Sequence, residues 1–196
     1  ELDILDSNST RTIRTSTAVF RDPSAWYHFV IVIDTTQSTD TNRIKIYVNN
    51  ELISTTAGTG TYPALNADTQ VNATTGIHAI ARRQGSADRY YDGYITEVNL
   101  IDGTALTPSA FGQYNENTGV WQPKKYNSSS IAAYGTNGFL LNFSDSSSVA
   151  ALGTDSSGNS NTWTVNNVSL TSGATYDLMS DVPTLTDEDT SNFATL

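Results

Sequence analysis

Two acids open the chain at strand spacing, Glu1 and Asp3 in Glu1-Leu2-Asp3-Ile4-Leu5-Asp6. Residues two apart on a strand share a face, and carboxyl groups roughly 5 to 5.5 Å apart are what a retaining glycosidic cleavage needs. The third acid, Asp6, is short and is followed by a turn, so a plain strand accounts for the run better than a catalytic one. The only histidines are His28 and His78. They lack the third partner and the spacing of a zinc site, and both read as packed, hydrogen-bonded sheet residues. The sequence has no cysteine, which excludes disulfides, thiol catalysis and thiolate metal sites. Neither a nucleophile elbow nor a phosphate-cradling glycine loop is present. No catalytic residue is therefore expected.

Two other groups of residues point to binding. Asp155-Ser156-Ser157-Gly158-Asn159-Ser160-Asn161 carries hard oxygen donors on a glycine-containing turn, the donor type calcium takes. A calcium loop normally adds a bidentate Glu or a second acid, and none follows; side-chain-to-backbone turns explain the composition without a metal. Calcium at this loop is the one cofactor candidate, and the expectation is no cofactor. Tyr90, Tyr91, Tyr94, Trp121 and Tyr126 lie among polar loops. Flat rings can stack on sugar C–H faces while nearby amides and carboxylates bind hydroxyls. The competing reading is that Tyr91, Tyr94 and Trp121 pack the core.

The elements that must position these residues are strands. Trp26 to Ile33 is an unbroken run of aromatic and β-branched residues, too short for a membrane span and predicted to be covered on both faces, with Trp26 in the core. Arg43 to Val48 alternates, placing Ile44, Ile46 and Val48 on one face. Asn49-Asn50 before Glu51-Leu52-Ile53 predicts a two-residue hairpin turn, because Asn tolerates positive φ. Further strands are expected at 1–6, 11–20, 77–81, 90–101, 138–143 and 162–165, with a polar loop over 58–73. On the 90–101 strand Val98 and Leu100 fall on the wrong parity after Tyr91, Gly93 and Ile95, which predicts a bulge near Thr96-Glu97. Thr107 to Gly112 reads as a single helical turn. The result is an all-β, antiparallel fold with at most one short helical turn.

Charge narrows the partners. Twenty acids against ten bases give a formal net charge of −10, and charged residues make up only 15% of the 196. Nucleic-acid binding needs clustered cations and is not expected; nor is membrane insertion. The basic pairs Arg82-Arg83 and Lys124-Lys125 read as solvated loop charges. The several N-x-S/T sequons, at Asn8, Asn72 and Asn142 for instance, carry little information in so Asn- and Thr-rich a chain.

Three motifs occur together: DPSAWYHFVIVID with RIKIYVNN, then YYDGYITEVNLIDGTALTPSAFG, then LLNFSDSSS with GTDSSGNSNTW. In combination they resemble the laminin-G-like, concanavalin A-type jelly-roll of tailed-bacteriophage structural proteins, often marine ones, over about 2–196. The resemblance implies a jelly-roll β-sandwich over 1–126, a linker at 127–133, a further β-hairpin unit or the opening of a second copy at 134–176, and an acidic exit linker at 177–196. In that family the domain begins upstream of Glu1 with further strands. A tail fibre or other exposed virion protein is implied, extracellular and non-catalytic. Its expected partners are other virion proteins, further copies of itself and a host surface glycan. Laminarinase-like glycosidases share the jelly-roll and carry their acids as E-x-D-x-x-E, so a glycan hydrolase or depolymerase is one alternative. A bacterial surface adhesin or filament subunit is the other.

Overall fold

The computed structural model describes residues 2–5, 11–22, 24–58, 60–73, 77–82, 90–126 and 131–171. Glu1, Asp6, residues 127–130 of the linker expected at 127–133, and the acidic segment from 177 lie outside them. Among the described residues the protein is all-β, built of short and mainly antiparallel strands. It has no α-helix, and none long and apolar enough to cross a membrane. The helical turn expected after Thr107 is a 3-10 turn, Pro108–Ala110. Three further 3-10 turns, at Asp40–Asn42, Ile131–Tyr134 and Ala150–Gly153, were not foreseen.

The chain divides into two compact units, residues 1–86 with 105–122, and 87–104 with 123–196. In the first, β1 (Leu2–Leu5), β2 (Arg11–Ser16) and β6 (Thr55–Ala57) form an antiparallel sheet in the order β1-β2-β6. A second sheet has the order β3-β4-β5, from β3 (Phe29–Ile33), β4 (Ile44–Val48) and β5 (Glu51–Leu52). The strands β8 (Gly112–Tyr114) and β9 (Trp121–Pro123) pair as a hairpin. The alternation predicted for β4 holds: Ile44, Ile46 and Val48 are buried, as are Ile4 and Ile13 of the other sheet. The turn holds too, with Asn49 and Asn50 at φ +49° and +74° between Val48 and its partner Glu51.

Buried polar groups brace this unit. Arg43 donates from its guanidinium to the carbonyls of Gln37, Ser38 and Pro63, pinning the 34–43 connection and the 60–66 loop to the start of β4. Arg14, equally buried, lies 3.6 Å over the Tyr62 ring centroid and donates a hydrogen bond to Ile13 O, while its Nε finds no partner among the described residues. Gly60, at φ +92°, runs against the Arg11 carbonyl so closely that any side chain would collide with it.

Two expectations for β3 fail. Trp26 lies before the strand and is 37% exposed rather than a core anchor. Phe29 and Ile31 are 50% and 49% exposed, although their cross-strand partners Val48 and Ile46 are buried. The apolar run reports a sheet-facing composition, but β3 is the outer strand of its described sheet, where cover runs out on one side. Phe20 and Tyr27 instead form an aromatic cluster with Phe29, at centroid distances of 5.2 to 6.4 Å.

In the second unit β7 (Val98–Leu100) pairs antiparallel with β10 (Phe139–Leu141) over a core of Tyr134, Phe139, Leu140, Leu141 and Leu152. The strand expected over 90–101 is thus reduced to its last third. Glu97 sits at φ +53°, at the point where the parity break called for a bulge. No strand forms at 77–81 or 162–165; Ile77 and His78 are exposed, so the packed role expected of His78 does not hold. Trp163 packs edge-on against Phe139.

Candidate functional site

The site grows from the β8–β9 hairpin. Asn115 closes it: its Oδ1 accepts the N–H groups of Asn117 and Thr118 at 2.9 and 3.0 Å, and its own N–H donates to Val120 O at 2.8 Å. Asn115 Nδ2 also donates to Gln122 Oε1. The turn ends on Gly119 at φ +68°. This rigid loop delivers Trp121 onto the backbone of Gly112, where a Cβ would overlap the indole. The ring is held from the other side by His28, whose Nδ1 accepts from the indole Nε1 at 3.0 Å. Tyr114 meets the indole edge-on at 5.1 Å.

His28 is anchored in turn by the hairpin predicted at 49–50. Its N–H donates to Asn49 Oδ1 at 2.8 Å and its carbonyl accepts from Asn49 N–H at 2.9 Å. Burial lowers the pKa of the imidazole below its ordinary value. The neutral ring, with its proton on Nε2, is also the only form whose Nδ1 can accept from Trp121. Tyr114, 46% exposed, places its hydroxyl 3.2 Å from Asn50 Nδ2 and 3.4 Å from Glu51 Oε1. Two rings, two amides and one exposed carboxylate therefore share one surface of the first unit. Rings of this kind can take the C–H faces of polyhydroxylated molecules while amide and carboxylate groups take hydroxyls.

The five predicted contact residues divide between the units. Trp121 belongs to the first. Tyr90, Tyr91, Tyr94 and Tyr126 belong to the second. Tyr90 and Tyr91 are 60% and 56% exposed, and Tyr91 OH donates to Tyr94 O at 3.4 Å. Tyr126 is half-buried, bonded to Ala133 O and stacked edge-on against Tyr134, which is the packing role. His28, Asn50, Glu51 and Tyr114 were not foreseen as neighbours of Trp121. Only the Asn49-Asn50 turn was marked in the sequence, and nothing local shows that residues 28, 50 and 114 converge.

The loop weighed as a calcium candidate is organised by hydrogen bonds. Asp155 Oδ1 accepts from the N–H groups of Leu140 and Ser157, and Oδ2 from Ser157 Oγ and the Asn161 N–H, all at 2.8 to 2.9 Å. Burial raises its pKa, but the donors from Leu140, Ser157 and Asn161 outweigh it and the net shift is downward. Asn159 and Asn161 spend their amides on the carbonyls of Gly135, Thr136 and Gly138. With both carboxylate oxygens doubly engaged, this donor set does not fit a metal ion. No cluster of His, Cys, Asp or Glu that could hold one occurs among the described residues. At the other end of the chain, Arg11 grips the Asp3 carboxylate through Nε and Nη2, a charge-assisted pair across β1 and β2.

The short strands and their antiparallel pairing define an all-β protein. A family model described as the concanavalin A-like lectin/glucanases superfamily matches residues 2–110, more than half of the chain, and the protein belongs to this superfamily. No curated protein and no solved structure matches it. The matched residues contain His28, Asn50 and Glu51 but end before Tyr114 and Trp121.

Proposed function

We propose that the chain is a non-catalytic adhesion module of a tailed-phage virion, a tail fibre or exposed decoration protein that recognises neutral glycans on the host surface. The observation that carries the glycan reading is the Tyr114–Trp121 pair set beside Asn50 and Glu51 on one exposed surface. Membership of a lectin and glucanase superfamily supports carbohydrate recognition as a class, and the three-motif resemblance supports the phage setting. The non-catalytic reading is supported by Asp3, whose carboxylate is held by Arg11. The net charge of −10 favours neutral over acidic glycans. In this reading the protein works outside the cell, on the particle, as one of several copies.

The test is binding of the displayed chain to host cells and to arrayed neutral glycans, with Tyr114→Phe, Glu51→Gln and Trp121→Ala beside the parent. Circular dichroism of each variant separates loss of contact from loss of fold. Folded variants that lose binding support the reading; full binding by a folded Trp121→Ala chain overturns it. Reducing-sugar release from the same glycans should stay at background.

A further inference from the structure

An open, shallow cleft lies at the other end of β3 from His28, with a volume of about 480 Å³. Ile33 and Val71 supply aliphatic groups to its lining, and Thr35, Asp68, Thr69 and Asn72 supply polar ones. The local backbone is fixed by bonds that leave those polar groups unspent. Asn66 N–H donates to Thr35 O at 2.8 Å and Ala73 N–H to Gln70 O at 3.2 Å. Asn66 and Asn72 adopt φ +59° and +63°. The adjoining Asp34 carboxylate is consumed by Thr36 and Gln37 and turned to structural use. By contrast the side chains of Asp68, Thr69 and Asn72 hydrogen-bond to no described residue.

We infer that this cleft is a separate subsite for a neutral sugar ring; the choice of ligand class rests on the glycan reading above. A carboxylate and an amide can each bridge neighbouring hydroxyls, and threonine hydroxyls both donate and accept. The methyl groups of Ile33 and Val71 then meet the ring's C–H face, taking the part an aromatic ring plays at Trp121. Asp68 is the only charged residue among the described lining residues, and its carboxylate disfavours uronic acids and other anions. No cluster of His, Cys, Asp or Glu that could hold a metal ion occurs among the described residues. The two sites are separated by the five residues of β3, roughly 17 Å at strand rise. They therefore engage different residues of one glycan, or different glycans.

The experiment is amide-resolved NMR of the full chain titrated with neutral hexoses and, separately, with a hexuronic acid. Backbone signals of Asp68, Thr69, Val71 and Asn72 report the cleft, and the Trp121 indole N–H reports the other surface. Neutral hexose should shift the cleft signals saturably. Asp68→Asn and Asn72→Gly, the latter suited to the positive φ, should weaken that response about tenfold while leaving the indole response intact. Movement of the indole alone overturns the cleft and spares the Trp121 reading. Movement of the cleft alone supports the inference and sinks the Trp121 surface. Stronger shifts with the hexuronic acid, or no shifts anywhere, overturn the inference.

Discussion

At the scale of single residues, His28 and Asp155 make the sharpest commitments. The His28 pKa is depressed in the folded chain, so the unfolded chain takes up the proton more readily. The stability tied to a neutral imidazole is complete above pH 6.5 and is lost as pH falls from 6.5 toward the folded pKa. Protonation also removes the acceptor of the Trp121 indole. Acidification through this window should therefore lower the unfolding midpoint and change Trp121 fluorescence, and His28→Gln should flatten both responses. The lowered carboxylates Asp22, Asp34, Asp145 and Asp155 act in another window, below 3.8, so the two effects separate by pH. Asp155→Ala strands the buried Leu140 N–H and the part-buried donors of Ser157 and Asn161 and should cost about 3 kcal/mol, measured by denaturant unfolding. Asp155→Asn should retain part of that. Residue roles were unevenly legible in the sequence. The oxygen-rich loop around Asp155 was visible as a motif, but its purpose was not, because the donors it satisfies come from a strand at 140. Trp26 misled because a large apolar ring reads as core unless its strand is known to begin three residues later.

Among elements, the β4–β5 hairpin was the most legible and is the easiest to perturb. Its period and its turn chemistry agree, and both Asn residues occupy the left-handed region. Asn50→Val should cost about 1–2 kcal/mol from backbone strain, whereas Asn50→Gly should fold at least as well yet lose the Tyr114 contact. Comparing their unfolding midpoints with their glycan binding separates the turn from the site. Strands at 77–81 and 162–165 were expected from short apolar stretches, which cannot by themselves show that a hydrogen-bonding neighbour exists. The shortening of the 90–101 strand has a visible cause in Glu97, whose positive φ ends the regular ladder just before Val98. The burial of β3 was unreadable for a related reason. A continuous apolar run fits a covered strand, but whether anything lies against Phe29 and Ile31 depends on segments far away in sequence.

For the whole molecule, the all-β class and the superfamily were both legible, because turn-rich composition, low charge and the motif set all agree. The convergence of 28, 50, 114 and 121 was not, since it joins residues up to 93 apart. A shallow surface of this kind exchanges water for protein at little net gain per hydroxyl, so single copies should bind host cells weakly. Displayed in several linked copies, the chain should gain about 10²- to 10⁴-fold in apparent affinity, as surface plasmon resonance at increasing display density can read out. Equal affinity at every density would count against the adhesion role. The division of the chain also bears on its synthesis. The first unit takes residues 1–86 and then 105–122, so its last piece to leave the ribosome is the β8–β9 hairpin. At about 5–20 residues per second the nascent chain exposes the whole superfamily match before Trp121 arrives. During that interval His28 waits without its indole and Asn50 without its tyrosine. A gene fragment trimmed to residues 2–110 would freeze the protein at that stage, with the lectin-type strands made and their aromatic partner never delivered.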